Sequence, residues 1–158
     1  MKSWFYAVAI VGTIIGAFII MDGSWAHEAN HQTITPSDLK FNDLPSLPPG
    51  AKIAVIEGPM NKAVPFTVRI KFPANYNLPA HWHPAVERVT VLSGTFHMGM
   101  GDKLDRQKTT PLGPGGLMII QPKTNHFAWT KDEVIVQLHG TGPWGITYIN
   151  PADDPRKK

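Results

Sequence analysis

The sequence contains no cysteine. This excludes a disulfide framework and a lipid anchor attached through cysteine, so an exported form of the chain must be held together by packing or by a metal. A basic stripe is also missing. The 15 Lys and Arg residues and 12 Asp and Glu residues leave a formal net charge of +3, and the C-terminal DDPRKK mixes both signs. This pattern gives no support to nucleic-acid binding, and we expect no nucleic-acid partner.

Long apolar runs are absent except for one at the N-terminus. Met1–Ser3 carries one positive charge, Trp4–Met21 is uncharged and mostly apolar, and Ser24 and Ala26 are small residues at the −3 and −1 positions of a cleavage site. The pattern predicts a secretory signal peptide over residues 1–26, hence a periplasmic or secreted protein without stable membrane insertion after cleavage. An uncleaved anchor is the alternative, because the 18 apolar-run residues are just enough to span a bilayer.

The string HEANH at residues 27–31 matches H-E-x-x-H, which binds zinc in metalloproteases when it lies within a helix. The residues that follow are rich in Pro, Ser and Asp, and they predict an extended arm over residues 27–50 rather than a helix. We therefore interpret the protease-like spacing as coincidental. The amine of the cleaved chain, with His27 and His31, could still bind copper or nickel, which suit nitrogen ligands. A solvated arm without metal is the simpler interpretation.

Helical periodicity is missing as well, since no window of ten or more residues after the signal segment has a helical apolar stripe. Instead, 15 Pro and 14 Gly divide the chain into short alternating segments. The predicted strands lie at residues 51–57, 66–72, 87–94, 95–101, 116–120, 126–130, 134–140 and 146–150. Such strands with Gly and Pro turns predict an all-β fold, a single-domain sandwich or small barrel of the jelly-roll kind over residues 51–150, followed by a tail at 151–158.

The stretch PAHWHPAVERVTVLSG at residues 79–94 carries the most chemical information. His81 and His83 are two positions apart, so on a strand their side chains share a face. Residues 84–85 can turn the chain, which lets Glu87 return to the same side at the start of the next strand. Two imidazoles and a carboxylate that converge inside a β structure form a site for Mn, Fe, Ni or Zn. The alternative is a pair of ordinary hydrogen-bonded core histidines. This alternative is less attractive because a Glu lies nearby in a chain that has only four Glu residues.

A further ligand is predicted in QPKTNHFAWT, where His126 begins another strand after a turn-prone segment. Three His and one Glu would leave one or two positions open on an octahedral metal. Open positions are typical of a chemical site, whereas closed coordination is typical of a structural one.

The spacing of these residues resembles the cupin superfamily, whose two motifs are G-x5-H-x-H-x3–4-E-x6-G and G-x5-P-x-G-x2-H-x3-N. The positions that match are His81, His83, Glu87 and Gly94 in the first motif and Gly115 and His126 in the second. The positions that depart are Asn75 for the first Gly, Gln121 for Pro, Lys123 for Gly and Thr130 for Asn. These departures weaken the turn before the last histidine but leave the ligand in place.

The resemblance covers about residues 50–150 and implies a six- to eight-stranded cupin-type jelly-roll barrel with the metal inside. It implies His81, His83, Glu87 and His126 as the metal ligands. More narrowly, the wording HWHPAVERVTVLSGTFHMGMGDK and NHFAWT is similar to small exported bacterial cupins of unassigned function.

Candidate pocket residues come from VIVQLHG at 134–140. Gln137 and His139 share one face, opposite Val134, Val136 and Leu138, which form the better core set. The two polar residues then face either solvent or the barrel interior, and in the second case they are the first acid/base or orienting candidates. Four aromatic residues are candidates for the mouth of the pocket, with packing as the alternative: Trp82, Trp129, Trp144 and Tyr148.

Two functions fit these observations. The first is metal-dependent catalysis of the oxygenase, isomerase or lyase type on a small molecule. The second is non-catalytic binding or sensing of a metal or small ligand, and the sequence leaves open whether the protein is an enzyme. A third interpretation is a hydrogen-bonded His/Glu cluster without metal, which burial of unpaired polar groups makes costly. A homodimer formed by docking or exchange of the arm is a further expectation.

Overall fold

The structure, a computed structural model, describes residues 31–157. Within this range the strands are β1 (Asn42–Asp43), β2 (Lys52–Glu57), β3 (Pro65–Phe72), β4 (Asn77–Trp82), β5 (Glu87–Ser93), β6 (Phe96–Met100), β7 (Thr110–Leu112), β8 (Leu117–Ile120), β9 (His126–Thr130), β10 (Val134–Thr141) and β11 (Thr147–Tyr148). Short 3₁₀ turns lie at Pro36–Asp38, Pro151–Asp153 and Pro155–Lys157. None of the helical segments described is long and apolar enough to cross a membrane. The predicted signal peptide at residues 1–26 lies outside the described residues.

The strands form two antiparallel sheets. One has six strands in the order β1-β2-β3-β10-β5-β8, and the other has five in the order β11-β4-β9-β6-β7. Neighbours in a sheet are mostly distant in sequence, as in a jelly roll, where strands cross between the sheets. The predicted all-β jelly-roll fold is therefore confirmed.

The core lies between the inner faces of the two sheets, and strict alternation of residue type builds it. In β3 the side chains of Phe66, Val68, Ile70 and Phe72 are buried, and the residues between them are partly exposed. In β10 the buried set is Val134, Val136 and Leu138, paired across the sheet with β3. Because side chains alternate along a strand, every second residue faces the core. Each fully buried side chain of this kind contributes roughly 1.5–3 kcal/mol to stability.

Strand β4, which carries the first histidine of the motif, was not among the predicted strands. It contains Pro79, which has no backbone N–H to donate to a partner strand. The pairing of β4 with β9 shifts register between Leu78 and His81, so the proline lies in the irregular part of the ladder. The segment therefore lacks the sequence pattern that predicts a strand, although the chain stays extended through His81.

The predicted arm is only partly extended, and its last residues pack on the barrel. β1 adds Asn42 and Asp43 to the edge of β2, and Leu47 is buried. The Tyr76 hydroxyl donates to the carbonyl oxygen of Pro48, and the Tyr148 hydroxyl donates to that of Ser46 at 2.8 Å. Burial raises the pKa of both tyrosines, so both hydroxyls remain protonated donors at neutral pH.

Turns at four motif positions adopt the left-handed backbone region, and one of them is Gly115 with φ +83°. Gly94 has φ +76°, and a Cβ there would lie 2.5 Å from the carbonyl oxygen of Glu133. Asn75 and Lys123, which replace motif glycines, have φ +57° and +60°. The backbone therefore keeps the conformation that glycine would supply, at a cost of roughly 1–2 kcal/mol for a side chain such as lysine. The departure from the motif before His126 therefore strains the turn but does not change its backbone path.

Candidate metal centre

The four predicted ligands come from both sheets and meet inside the barrel. His81 of β4 and His126 of β9 are cross-strand partners in the five-stranded sheet. His83 follows immediately after β4, and Glu87 is the first residue of β5 in the six-stranded sheet. All four are buried, with 1–7% of each residue exposed. The connection between β4 and β5 is short enough to bring the carboxylate back toward the imidazoles, as the spacing predicted.

The donor atoms lie within coordination range of one another. Nitrogen atoms of the three imidazoles all fall within 4.8 Å of each other. The Oε2 atom of Glu87 is 3.0 Å from Nε2 of His126 and 3.6 Å from Nε2 of His83. Within residues 31–157, these histidines are the single group of metal-binding side chains arranged in this way.

Backbone carbonyls fix the tautomer of each histidine. Each Nδ1 atom lies at hydrogen-bond distance from a carbonyl oxygen: Pro79 at 2.7 Å for His81, Gly145 at 2.7 Å for His83, and Thr124 at 2.9 Å for His126. A carbonyl oxygen can only accept, so each Nδ1 carries the proton and donates it. In the neutral ring, Nε2 is then left with a free lone pair. This is the arrangement by which metal-binding histidines are oriented in proteins.

The pKa values of three of the four side chains are shifted from their ordinary values. Burial lowers the pKa of His81 well below its ordinary value of 6.5, and the neighbouring His126 and His83 lower it further. Burial also lowers the pKa of His83, against the attraction of Glu87. For Glu87, burial raises the pKa, but the nearby His83 and His126 outweigh that effect and the net pKa falls. Burial is thus the main cause of the lowered pKa values of His81 and His83, and the two nearest histidines are the cause of the lowered pKa of Glu87.

The carboxylate oxygen that faces the histidines lacks a hydrogen bond. Glu87 Oε2 is buried, and although it lies 3.0 Å from His126 Nε2, no hydrogen bond of acceptable geometry joins them. Two acceptors in contact repel each other unless a proton or a metal ion lies between them. Three imidazole nitrogens and one carboxylate oxygen suit Mn, Fe, Ni or Zn. The residues present therefore fit a divalent transition metal.

A cavity of about 300 Å³ adjoins the cluster. Its walls are mostly aliphatic and aromatic side chains from both sheets, such as Leu78, Phe96, Val136 and Leu138. Trp144 also lines it and stacks on the ring of His83, with centroids 4.2 Å apart and an interplanar angle of 19°. The aromatic ring holds one side of that imidazole while the carbonyl of Gly145 holds its Nδ1 edge.

Gln137 and His139 were candidates for either the solvent face or the barrel interior, and a catalytic role for them stays a prediction. Neither residue lines the cavity, which Val136 and Leu138 of the same strand do line. Arg69 Nε donates to Gln137 Oε1 at 3.3 Å, and His139 is paired across the strands with Arg88 and Thr67. Alternation along β10 places both polar side chains on the outer face, because the apolar set fills the interior.

Other predicted site residues are divided between the cavity and the surface. Among the four aromatic candidates, Trp144 lines the cavity. Trp129 instead stacks on the ring of His97, with ring centroids 3.9 Å apart. Trp129 occupies a strand position that alternates with core residues. His31 of the HEANH string is exposed. His27 lies outside the described residues, so the copper or nickel site proposed for the two stays a prediction.

Sequence reasoning missed two parts of the cavity wall. Leu44, Ser46 and Leu47 of the arm line it, and so does Arg156 of the C-terminal tail. The arm and the tail were predicted to lie outside the barrel domain, because their Pro-rich and charged compositions resemble solvated segments. The apolar pair within DLPSLPPG was the available signal for the arm.

Comparison with known proteins gives fold similarity at low identity. No protein-family model and no curated protein matches the sequence. The polyketide cyclase RemF from Streptomyces resistomycificus matches with a TM-score of 0.66 and 16% identity, over 80% of this chain and 91% of its own. An RmlC-like cupin from Shewanella frigidimarina matches with a TM-score of 0.56 and 17% identity, over 70% and 90%. A candidate acetylacetone dioxygenase from Methylibium petroleiphilum matches with a TM-score of 0.60 and 12% identity, over 79% and 85%. Together with the two-sheet topology, these likenesses show that the chain has the cupin (RmlC-like) fold.

Proposed function

We propose that this protein is a cupin of the cell envelope that holds one divalent transition metal, Mn, Fe, Ni or Zn, through His81, His83, Glu87 and His126. The observation that carries the proposal is the tautomer pattern of the buried histidines. Each Nδ1 donates to a backbone carbonyl, which leaves three Nε2 lone pairs beside an unsatisfied carboxylate oxygen. A hydrogen-bonded cluster without metal would instead pair these acceptors with donors.

The function we favour is metal-dependent turnover of a small molecule, of the oxygenase, isomerase or lyase type. A bound metal with open positions would polarise a substrate oxygen or activate water or dioxygen. The chain itself supplies a mostly apolar cavity, a carboxylate that offsets part of the metal charge, and a tryptophan that holds His83 in place. Two of the structures similar in fold are named as a cyclase and as a candidate dioxygenase, which supports turnover over storage.

A second candidate is binding or sensing of a metal or small ligand without turnover. Among the described residues that line the cavity, Glu87 is the single carboxylate, and the histidines of the cluster are the only imidazoles. A catalyst that needs a separate general base would have to use Glu87 itself. A protein that only binds its ligand has no such requirement.

The cellular location rests on the sequence alone. We propose export to the periplasm or beyond, because residues 1–26 have the charge, apolar run and small-residue exit of a signal peptide. We propose a small molecule as the main partner and a second copy of the chain as a further one, through the arm that β1 already adds to the sheet edge.

Elemental analysis of the purified protein tests the metal site. We expect about one equivalent of a transition metal, and a loss of at least about tenfold in occupancy for His83→Ala or His126→Ala, because each removes a ligand. His27→Ala and His31→Ala are the matched controls and should retain the metal. Circular dichroism checks that each variant is folded. Equal loss in both pairs, or a metal-free protein that cannot be loaded, would contradict the assignment.

A further inference from the structure

The walls of the cavity limit what the cluster can bind. Outside the four site residues, the polar side chains among the lining residues are Ser46, Asn61 and Arg156. The remaining walls are aliphatic, aromatic or methionine side chains, with the backbone of Gly145. A ligand hydroxyl or charge placed against such walls loses its water without gaining a partner. Each such group would weaken binding by roughly 5- to 150-fold.

Among residues 31–157, Arg156 is the one cation at the cavity wall, and its guanidinium is already hydrogen-bonded. Its Nε donates to Asp154 Oδ1 at 2.7 Å, and its Nη2 donates to Asp154 Oδ2 at 2.9 Å and to the carbonyl oxygen of Ile146 at 3.1 Å. An anionic ligand would have to compete with this two-point contact to a carboxylate. The arginine therefore serves mainly to hold the tail against β11, and the cavity gains little preference for anions from it.

The volume sets the size of the ligand. An apolar cavity of roughly 150 Å³ can hold one benzene molecule. This cavity of about 300 Å³ has about twice that space, enough for one or two rings or an equivalent branched skeleton. It lies at the small end of the range of roughly 300–1,000 Å³ typical of small-molecule sites.

The charge at the metal end sets the head group. A divalent metal and the single carboxylate of Glu87 sum to one positive charge, since the imidazoles are neutral when they bind metal. Between mostly apolar walls, a ligand head that carries one negative charge on oxygen would balance that charge. An enolised diketone, a hydroxyketone or a phenol gives up one proton and offers such an oxygen.

We infer that the ligand of this site is a hydrophobic molecule of one or two rings whose polar part is a single acidic enol or phenol oxygen head directed at the metal. The inference rests on the proposed metal site and adds the chemical class of its substrate. Sugars, dicarboxylates and other ligands with polar or charged tails are excluded by the walls.

Hydroxamates with one head and different tails test the inference on Zn²⁺-loaded protein. The head is a monoanionic oxygen chelator in every probe, so differences in affinity measured by calorimetry report the walls alone. We expect 2-naphthohydroxamate to bind at least about 30-fold more tightly than acetohydroxamate, since each buried methylene contributes roughly fourfold. Succinic monohydroxamate, with a carboxylate tail, and a polyhydroxylated gluconohydroxamate should bind no more tightly than acetohydroxamate.

A matched pair of variants places the effect in the cavity. Val136→Thr adds a hydroxyl to a wall residue, and Val134→Thr makes the same change two positions away in the same buried face, outside the cavity. We expect Val136→Thr to reduce the advantage of the naphthyl tail over acetohydroxamate by about threefold or more. Val134→Thr should change neither affinity.

Separate outcomes distinguish failure of the inference from failure of the metal site. Protein that retains zinc by elemental analysis and binds acetohydroxamate, but gains nothing from the naphthyl tail, overturns the inference and leaves the metal site standing. Tightest binding by the carboxylate tail would show that Arg156 selects anions, and would overturn it as well. Protein that does not retain zinc overturns the proposed function and the inference together.

Discussion

Replacing Glu87 with glutamine separates a metal site from a cluster held by hydrogen bonds. The substitution keeps the shape of the side chain and removes its charge. Glu87 Oε2 lies 3.0 Å from Nε2 of His126 and 3.6 Å from Nε2 of His83, and it accepts no hydrogen bond. Because Nδ1 of His126 already donates to Thr124, its Nε2 is an acceptor in the neutral ring, and a glutamine amide could donate to it.

The metal-free and metal-loaded proteins should therefore respond differently. Without metal, Glu87→Gln should change the free energy of unfolding by less than about 1 kcal/mol. A neutral hydrogen bond from the glutamine amide to His126 would replace a carboxylate–imidazole contact that is favourable only when a proton lies between the two groups. With metal, losing a direct anionic ligand should weaken affinity by about 100-fold or more, beyond the 10- to 100-fold typical of an outer-sphere partner. At a metal concentration of about 1,000 Kd, the stabilisation by metal would fall from about 4.1 to about 1.4 kcal/mol.

Thermal unfolding with EDTA and with added zinc gives both quantities. For a domain of this size, 1 kcal/mol corresponds to a change in Tm of roughly 3–5 °C. We expect a zinc-induced rise in Tm of roughly 12–20 °C in the native protein and roughly 4–7 °C in the variant. Glu133→Gln, at an exposed carboxylate 3.6 Å from Lys71, is the control and should leave the zinc response intact.

A different result would refute the reasoning. Breaking a buried ion pair by removing one partner costs about 3–5 kcal/mol. If Glu87→Gln lost that much stability in EDTA while zinc had no effect on either protein, the cluster would be a protonated histidine paired with glutamate, and no metal would be needed to explain it.

Two further predictions concern the pH dependence and the turn before His126. Burial lowers the pKa of His81 below 6.5, so as the pH falls the unfolded chain takes up the proton before the folded protein does. The free energy of unfolding therefore decreases as pH falls below about 6.5, by up to roughly 1.4 kcal/mol per pH unit for each such histidine. A Tm in EDTA that stays flat between pH 7.5 and 5.5 would contradict this. Lys123→Gly should raise stability by about 0.5–1 kcal/mol because φ +60° strains a side chain there, whereas Lys103→Gly, in an exposed loop without positive φ, should lower it. Chemical unfolding measures the stability of both lysine variants. Equal destabilisation by Lys123→Gly and Lys103→Gly would mean that the turn is unstrained.

The alternation of residue type was enough to predict most of the strands and the shared face of His81 and His83. His81 and His83, two apart, share the inward side because the strand period is two. The same period put Val136 and Leu138 in the core and left His139 on the opposite face of β10. Period alone left open whether that face meets solvent or a polar part of the interior, and the cavity is lined by the apolar set.

The parts that sequence could not predict depend on contacts between distant segments. Tyr148 and Ser46 are 102 positions apart, and Tyr76 and Pro48 are 28 apart, yet these hydroxyl contacts hold the arm over the cavity. A tyrosine hydroxyl has no periodic signature, because its partner is a backbone carbonyl that any residue supplies. The turn at Lys123 was likewise hidden, since lysine is a poor residue for the left-handed region and tertiary contacts override its preference.

Another contact between distant segments links the two motifs. The backbone N–H of Lys123 donates to the carbonyl oxygen of His83 at 2.8 Å, so the turn that leads into His126 is fastened to the strand end that carries the other histidine. The strained conformation is retained because it makes this bond. A non-glycine residue at the motif position is therefore tolerated as long as the backbone keeps its path.

The site is complete only when the two sheets are packed together. His81 and His126 are neighbours within the five-stranded sheet, but Glu87 belongs to β5 of the six-stranded sheet, where it is paired with Ile120. Neither sheet alone brings the imidazoles and the carboxylate together. Metal binding would therefore stabilise the packing of one sheet on the other, because a ligand that binds only the assembled site shifts the folding equilibrium toward it. By the same linkage, a loosened core lowers metal affinity even when every ligand is present.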